Sequence, residues 1–186
     1  MNLKKGERVK VGQLMYGALL LSGNDAAYAL GETVSGSNSN FATLMNQRAV
    51  ELGCQNTHFV NPNGIYNKNH YTTANDFVLI TRAAMSNSIV TRFAGAKKYR
   101  MGATNKSGAR RMVNHATLLN EKNSGVYAGK CGYWTSSDCS VAVGYKKNGI
   151  SLYIVILGDT KSQRKNDLCT LIDYSVDKVS TIESTN

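Results

Sequence analysis

Residues Cys139–Asp159 read CSVAVGYKKNGISLYIVILGD. Two runs rich in β-branched and aromatic residues flank Asn148-Gly149, a pair that tolerates the positive φ angles of a tight two-residue hairpin turn. The spacing predicts two antiparallel strands. Just upstream, Tyr127–Trp134 (YAGKCGYW) reads as a third antiparallel strand, and downstream Gln163–Val176 (QRKNDLCTLIDYSV) reads as a closing helix.

The first half of the chain has a different period. Ser37–Gly53 (SNSNFATLMNQRAVELG) places Phe41, Leu44, Met45, Ala49 and Leu52 at helical spacing, with serines where an N-cap belongs and Gly53 where a helix stops. Tyr71–Met85 (YTTANDFVLITRAAM) starts a second helix, with Thr73 three residues before Asp76 in capping-box spacing. Between them, VNPNGIY (60–66) is a turn, because Pro62 fixes its own φ and Asn63-Gly64 accepts positive φ. Leu14–Glu32 (LMYGALLLSGNDAAYALGE) sets Ser-Gly-Asn-Asp between two apolar runs. These residues favour turns and caps over helix interiors, so the stretch reads as helix, corner, helix. The expected architecture is α+β: a mainly helical part over 1–95, then antiparallel strands and a closing helix over 96–186, in one domain.

At 186 residues and 42% hydrophobic content, the chain can bury a core of its own. The net charge of +10 favours polyanionic surroundings, whether nucleic acid, an anionic membrane surface or an acidic cell-wall polymer. The densest basic run, Lys97–Arg111 (KKYRMGATNKSGARR), reads either as a polyanion-tracking stripe or as a solvated hairpin. Cys54, Cys131, Cys139 and Cys169 form no C-x-x-C pair; Cys131 and Cys139 are placed to face each other across a hairpin. The three histidines and four cysteines lack metal-ligand spacing, and no local signature joins Cys131 to His58, His70 or His115 as a cysteine hydrolase. No cofactor is expected. The apolar N-terminal run is interrupted by Glu7, Gln13, Asn24 and Asp25, so it reads as a domain helix and not as a signal peptide or membrane anchor.

In order and spacing, Leu19–Gly53, Thr57–Tyr66, His70–Met85, NHATLLN (114–120) and GKCGYW (129–134) resemble the low-molecular-weight penicillin-binding D-alanyl-D-alanine carboxypeptidases. Serine enzymes of this superfamily carry S-x-x-K, then an S-x-N motif, then K-T-G. The resemblance makes Ser22, Gly23 and Asn24 the second motif and Lys130, Cys131 and Gly132 the third. It implies catalytic roles for Ser22, Asn24 and Lys130, and substrate contacts for Gly23, Cys131, Gly132, Tyr133 and Arg164. Tyr133 would give a backbone N–H to the oxyanion hole. The implied substrate is a peptidoglycan stem peptide ending in D-Ala-D-Ala, cleaved through an acyl-enzyme. β-lactams would bind once the site is complemented, no nucleic acid is expected, and the implied location is the extracytoplasmic envelope.

Two departures matter. No S-x-x-K precedes Ser22. Ser162–Lys165 and Ser175–Lys178 fit the letters, but they follow the hairpin, where the family places no nucleophile. The chain is therefore expected to be N-terminally truncated relative to the family, lacking its first strands and nucleophile helix. It would be inactive alone, with a sheet edge and apolar surface uncovered that a complementing segment would fill. The alternative is a noncatalytic domain that binds cell wall or polyanion. Secondly, Cys131 stands where the family has threonine. A thiol is a weak donor, and losing a hydrogen bond to a carboxylate costs roughly 1.5–3 kcal/mol, about ten- to a hundredfold in affinity. Arg164 would supply a bidentate partner in part compensation.

Overall fold

A computed structural model describes residues 1–135 and 138–184. Five helices come first: α1 (Val11–Leu20), α2 (Asn24–Ser35), α3 (Asn38–Glu51), α4 (Ala74–Met85) and α5 (Ser88–Ala94). A short antiparallel ribbon follows, β1 (Lys98–Met101) with β2 (Arg110–Val113). Then comes an antiparallel sheet in the order β3 (Val126–Thr135), β4 (Asp138–Lys147), β5 (Ile150–Asp159), and last α6 (Arg164–Ser184). Residues 136, 137, 185 and 186 lie outside the described residues.

The β4–β5 turn is the one the sequence requires. Asn148 (φ 52°) and Gly149 (φ 83°) both adopt left-handed φ, and Lys147 pairs with Ile150. The period of two then sends alternate side chains to opposite faces. Val141, Val143 and Ile154 pack on one face with Leu168 and Ile172 of α6. On the other, Ala128 meets Met85 of α4 and Ala94 of α5. The sheet is thus a middle layer between α6 and the helical part, a two-sided α+β arrangement.

On the helical side α1 is central, packing against α2, α5 and the ribbon. Leu20, Met101 and Met112 form a fully buried cluster there, and Tyr16 stacks on Tyr99 with ring centroids 3.9 Å apart. The basic run 97–111 is the ribbon itself. Arg110 closes a two-pronged ion pair on Glu7 at 2.6 and 3.0 Å, and Lys106 donates to the Lys5 carbonyl at 2.7 Å, so the ribbon's cations tie down residues 1–10.

Two expectations are corrected, the facing cysteines and the reciprocal cap at α4. Cys131 pairs with Val141, and Cys139 with Tyr133, so the two thiols do not face each other; all four cysteines are free. The apolar face of α3 is packed in part: Ala49 lies in a buried cluster with Cys54 and Phe59, against which Met45 and Leu52 pack, while Leu44 is 43% exposed and, with Phe41, borders an open cavity. At α4 only half of a capping box forms. Thr73 accepts from the Asp76 N–H at 3.2 Å, whereas the Asp76 carboxylate turns outward to Thr57 Oγ1 (2.6 Å) and to the N–H groups of Asn56 (2.7 Å) and Gln55 (3.3 Å).

The Thr57 hydroxyl, then the two N–H groups, hold the Asp76 carboxyl below its ordinary 3.8, against the opposing effect of burial. A depressed folded-state value contributes stability that is present above the unfolded pKa and is lost as pH falls through the folded one. We expect Asp76→Asn to lower the melting temperature at pH 7 and to flatten the loss of stability below pH 4; thermal melts from pH 7 to pH 2 would show it. Leu168, fully buried between α6 and the sheet, tests the other layer. Leu168→Ala should cost about 2–5 kcal/mol in urea unfolding.

Candidate active site

The corner predicted between two apolar runs exists and is tight. α1 ends at Leu20, and Ser22 turns the chain with φ 53°, a left-handed conformation that costs a non-glycine residue about 1–3 kcal/mol. The Gly23 N–H reaches back to the Gly17 carbonyl at 3.0 Å, and α2 begins at Asn24 with Gly23 as its N-cap. Gly17 makes room for the Met1 side chain beside the corner: a Cβ there would collide with Met1 Sδ and Cγ. The turn leaves the Ser22 hydroxyl and the Asn24 amide exposed, and the Asn24 side chain has no hydrogen-bond partner among the described residues.

Lys130 rises from β3 on the face turned to the helices. Its Nζ lies 2.5 Å from Ser22 Oγ across 108 residues of sequence, and it also donates to the Cys131 carbonyl. Desolvation holds the Lys130 ammonium below its ordinary value, and the Arg164 charge pushes the same way against the nearby Cys131 thiol. Ser22 and Lys130 are therefore a hydroxyl and a poorly solvated amine in direct contact, an arrangement suited to proton transfer.

The rest of the third motif is spread around the strand. Gly132 pairs with Ser140 in the register, and Arg164, the first residue of α6, donates to the Gly132 carbonyl at 3.1 Å and to that of Ser140 at 3.4 Å. Arg164 thus sits at the strand that carries the motif and is not a free cation at a helix start. Tyr133 is 64% exposed, with Lys161 over its ring at 5.8 Å. Cys131 points to the opposite face from Lys130, where it packs against the α6 cluster. Its Sγ lies 3.2 Å from Thr117 Oγ1 and donates to the His115 carbonyl at 3.4 Å, so the thiol is already engaged within the protein.

The quoted segment 114–120 has a structural job that the sequence reading missed. Asn114, 2% exposed, donates to the Ala94 and Ala96 carbonyls at 2.9 and 3.2 Å and accepts from the Ala116 N–H at 2.8 Å. It fastens the exit of β2 to the end of α5 and so brings Thr117 to Cys131. Of the histidines, His70 accepts from the Val60 N–H at 3.2 Å and packs edge-on against Phe59, and burial pushes its pKa down. Neither spurious S-x-x-K match joins the site: Lys165 pairs with Glu121 at 2.7 Å, and Lys178 lies over the Tyr174 ring.

Lys130 also lines a cavity of about 830 Å³ between the sheet and the helical part, walled by Phe41, Met45, Phe77, Ile80 and Leu157. The walls are mostly apolar, with Lys130 the charged group on the sheet side. Among the described residues no group of three or more histidines, cysteines or carboxylates could hold a metal ion, and no helix is long and apolar enough to cross a membrane.

Comparison with known proteins turns this geometry into an assignment. The family model for D-alanyl-D-alanine carboxypeptidases, peptidase family S11, matches residues 1–161. The chain belongs to this family. It is 30% identical over 181 residues to the D-alanyl-D-alanine carboxypeptidase DacF of Bacillus subtilis, covering 96% of this chain and 46% of that one. It is 31% identical over 179 residues to a Streptomyces D-alanyl-D-alanine carboxypeptidase, covering 91% of this chain and 62% of that one. Among solved structures, the Streptomyces K15 DD-transpeptidase superposes with a TM-score of 0.87 at 29% identity, over 95% of this chain and 72% of that one. A Mycobacterium tuberculosis D-alanyl-D-alanine carboxypeptidase gives 0.81 at 29% identity, over 91% and 65%. The matches span 46% and 62% of these two curated relatives' own lengths, and 38% or less of several others.

The engaged thiol carries its own expectation. Cys131→Ser keeps a donor for the His115 carbonyl and should leave the melting temperature within a few degrees of the parent, whereas Cys131→Leu, which strands that carbonyl and Thr117 and adds bulk, should cost about 1–3 kcal/mol in denaturant unfolding.

Proposed function

We propose that this chain provides the second and third motifs of a serine-type D-Ala-D-Ala carboxypeptidase, which removes the terminal D-Ala from peptidoglycan stem peptides through an acyl-enzyme. The observation that carries the reading is the 2.5 Å contact between Lys130 Nζ and Ser22 Oγ, made from two motifs 108 residues apart. In this reading Ser22 passes a proton to the leaving amine of D-Ala. Asn24 orients the substrate from the head of α2. Lys130 raises the positive potential around the carbonyl oxygen and keeps the Ser22 hydroxyl aimed. The substrate backbone lies along β3 at Gly132, where the Tyr133 N–H serves the oxyanion, and Gly23 leaves room at the corner. Arg164, already on the Gly132 carbonyl, faces the terminal carboxylate. Cys131, with its thiol spent on His115 and Thr117, contributes mainly through its backbone.

The 186 residues hold no S-x-x-K ahead of Ser22, so the nucleophile, its lysine base and one oxyanion N–H are not among them. Loss of a catalytic serine lowers turnover about 10⁶-fold in a comparable serine hydrolase, and one oxyanion donor is worth about 10²–10³. The peptidoglycan substrate, β-lactam binding and extracytoplasmic location belong to this proposal. The competing reading, a noncatalytic polyanion binder, loses support because Arg110 and Lys106 of the basic ribbon are bonded within the protein.

Fluorescent-penicillin labelling tests the proposal. The chain alone should not release D-Ala from a D-Ala-D-Ala peptide. Co-expression with an N-terminal segment carrying an S-x-x-K helix should restore labelling, and Lys130→Ala in the complemented pair should reduce it about a hundredfold. No labelling in any pairing, together with salt-sensitive binding to nucleic acid, would overturn it in favour of the noncatalytic reading.

A further inference from the structure

The Ser22–Lys130 contact has the makings of a nucleophilic centre of its own, separate from the proton-relay role above. Three observations converge. The Ser22 hydroxyl is exposed on a left-handed corner, so a carbonyl compound can approach it without crossing the fold. Its oxygen lies 2.5 Å from an amine nitrogen, within reach of direct proton abstraction. That amine rises from a rigid three-stranded sheet and is anchored by the Cys131 carbonyl, so it cannot swing away into solvent. A hydroxyl with a positioned base is the basic unit of an activated serine.

We propose that Ser22 and Lys130 form a serine–lysine dyad in which Ser22 is itself acylated by activated acyl donors, aryl esters being the simplest class. Neutral Lys130 takes the proton from Ser22 Oγ as the oxygen attacks the ester carbonyl. The bond from that carbonyl to the aryl oxygen breaks, the phenolate leaves, and the acyl group stays on Ser22 as an ester. Lys130, now an ammonium, returns its proton to solvent and then activates a water that releases the carboxylic acid and restores the hydroxyl. The exposed Asn24 amide, two residues on, supplies a donor to the developing oxyanion. The groups that bear on Lys130 are Arg164 of α6, which favours the neutral amine, and its strand neighbour Cys131, which opposes it. On α2, Asp25 is ion-paired to the Met1 ammonium at 3.0 Å and accepts from the Leu3 N–H at 2.8 Å. Desolvation of Lys130 makes the neutral base available at lower pH than an ordinary surface lysine would allow. An aryl ester needs no help for its leaving group, which is why the dyad suffices for it and not for a peptide.

The test uses p-nitrophenyl acetate with the purified chain alone, following p-nitrophenolate release and mapping the acetyl group by mass spectrometry of peptides. The expected result is a burst, acetyl on Ser22, and a rate that rises with pH to a midpoint below that of free lysine. Ser22→Ala should abolish the burst. Lys130→Arg, which keeps charge and length but not the base, should lower the acylation rate about a hundredfold. Ser22→Cys, with an intrinsically better nucleophile, should acylate faster than the parent, so the idea remains testable even if one variant folds poorly. Acetyl found on Cys131 or scattered over surface lysines, with Ser22→Ala as fast as the parent, would overturn the dyad. Either result leaves the carboxypeptidase reading to its own test, which depends on a different nucleophile and a complementing segment.

Discussion

A lysine that leaves bulk water must find oxygen atoms to face, and Lys130 organises this molecule around that requirement. Its stem rises from the middle layer into the space between sheet and helices, where desolvation penalises the ammonium. The protein meets the cost with two oxygens, the Cys131 carbonyl and the Ser22 hydroxyl. The second is available only because Ser22 takes a left-handed φ between α1 and α2, and that corner stands where it does because α1 is pinned between α2, α5 and the ribbon.

Much of the remaining architecture keeps these two ends in register. β3 is held by β4 over most of its length, and Arg164 ties the start of α6 to the carbonyls of Gly132 and Ser140. Asn114 joins the ribbon to α5 through buried hydrogen bonds. On the helical side, the Glu7–Arg110 pair lowers the Glu7 carboxyl to about 2, chiefly through the Arg110 hydrogen bonds, and fastens the leading segment across the ribbon beneath α1. Strain at one serine is thus supported by a rigid frame on both sides, the condition under which such strain persists.

Against that frame, the apolar wall of α3 stands out. Met45 and Leu52 pack on the Ala49–Cys54–Phe59 cluster, yet Phe41 and Leu44, at the same helical spacing, border about 830 Å³ of open space with Lys130 on the opposite side. Helical periodicity reports which face of a helix is apolar, and it is silent about whether a packing partner lies opposite. The same limit explains Asp76, whose spacing from Thr73 suggested a reciprocal cap but whose carboxylate found three better donors at Gln55, Asn56 and Thr57.

Local chemistry alone settled most of the elements, though not α5 or the ribbon. Asn148-Gly149 could hardly be anything but a two-residue turn, Ser37 and Thr73 had to begin helices, and Ser-Gly-Asn-Asp had to break one, because backbone preferences and side-chain capping act over a few residues and are written in them. Motif order gave the family by the same kind of short-range signal, repeated along the chain. Only the tertiary structure decided that Ser22 and Lys130 touch, that Cys131 turns its thiol toward Thr117 on the other face, and that Cys139 is out of register with it. Those outcomes depend on strand register and on how α1 sits against the sheet, which are set by packing across a hundred residues and leave no mark at any single position.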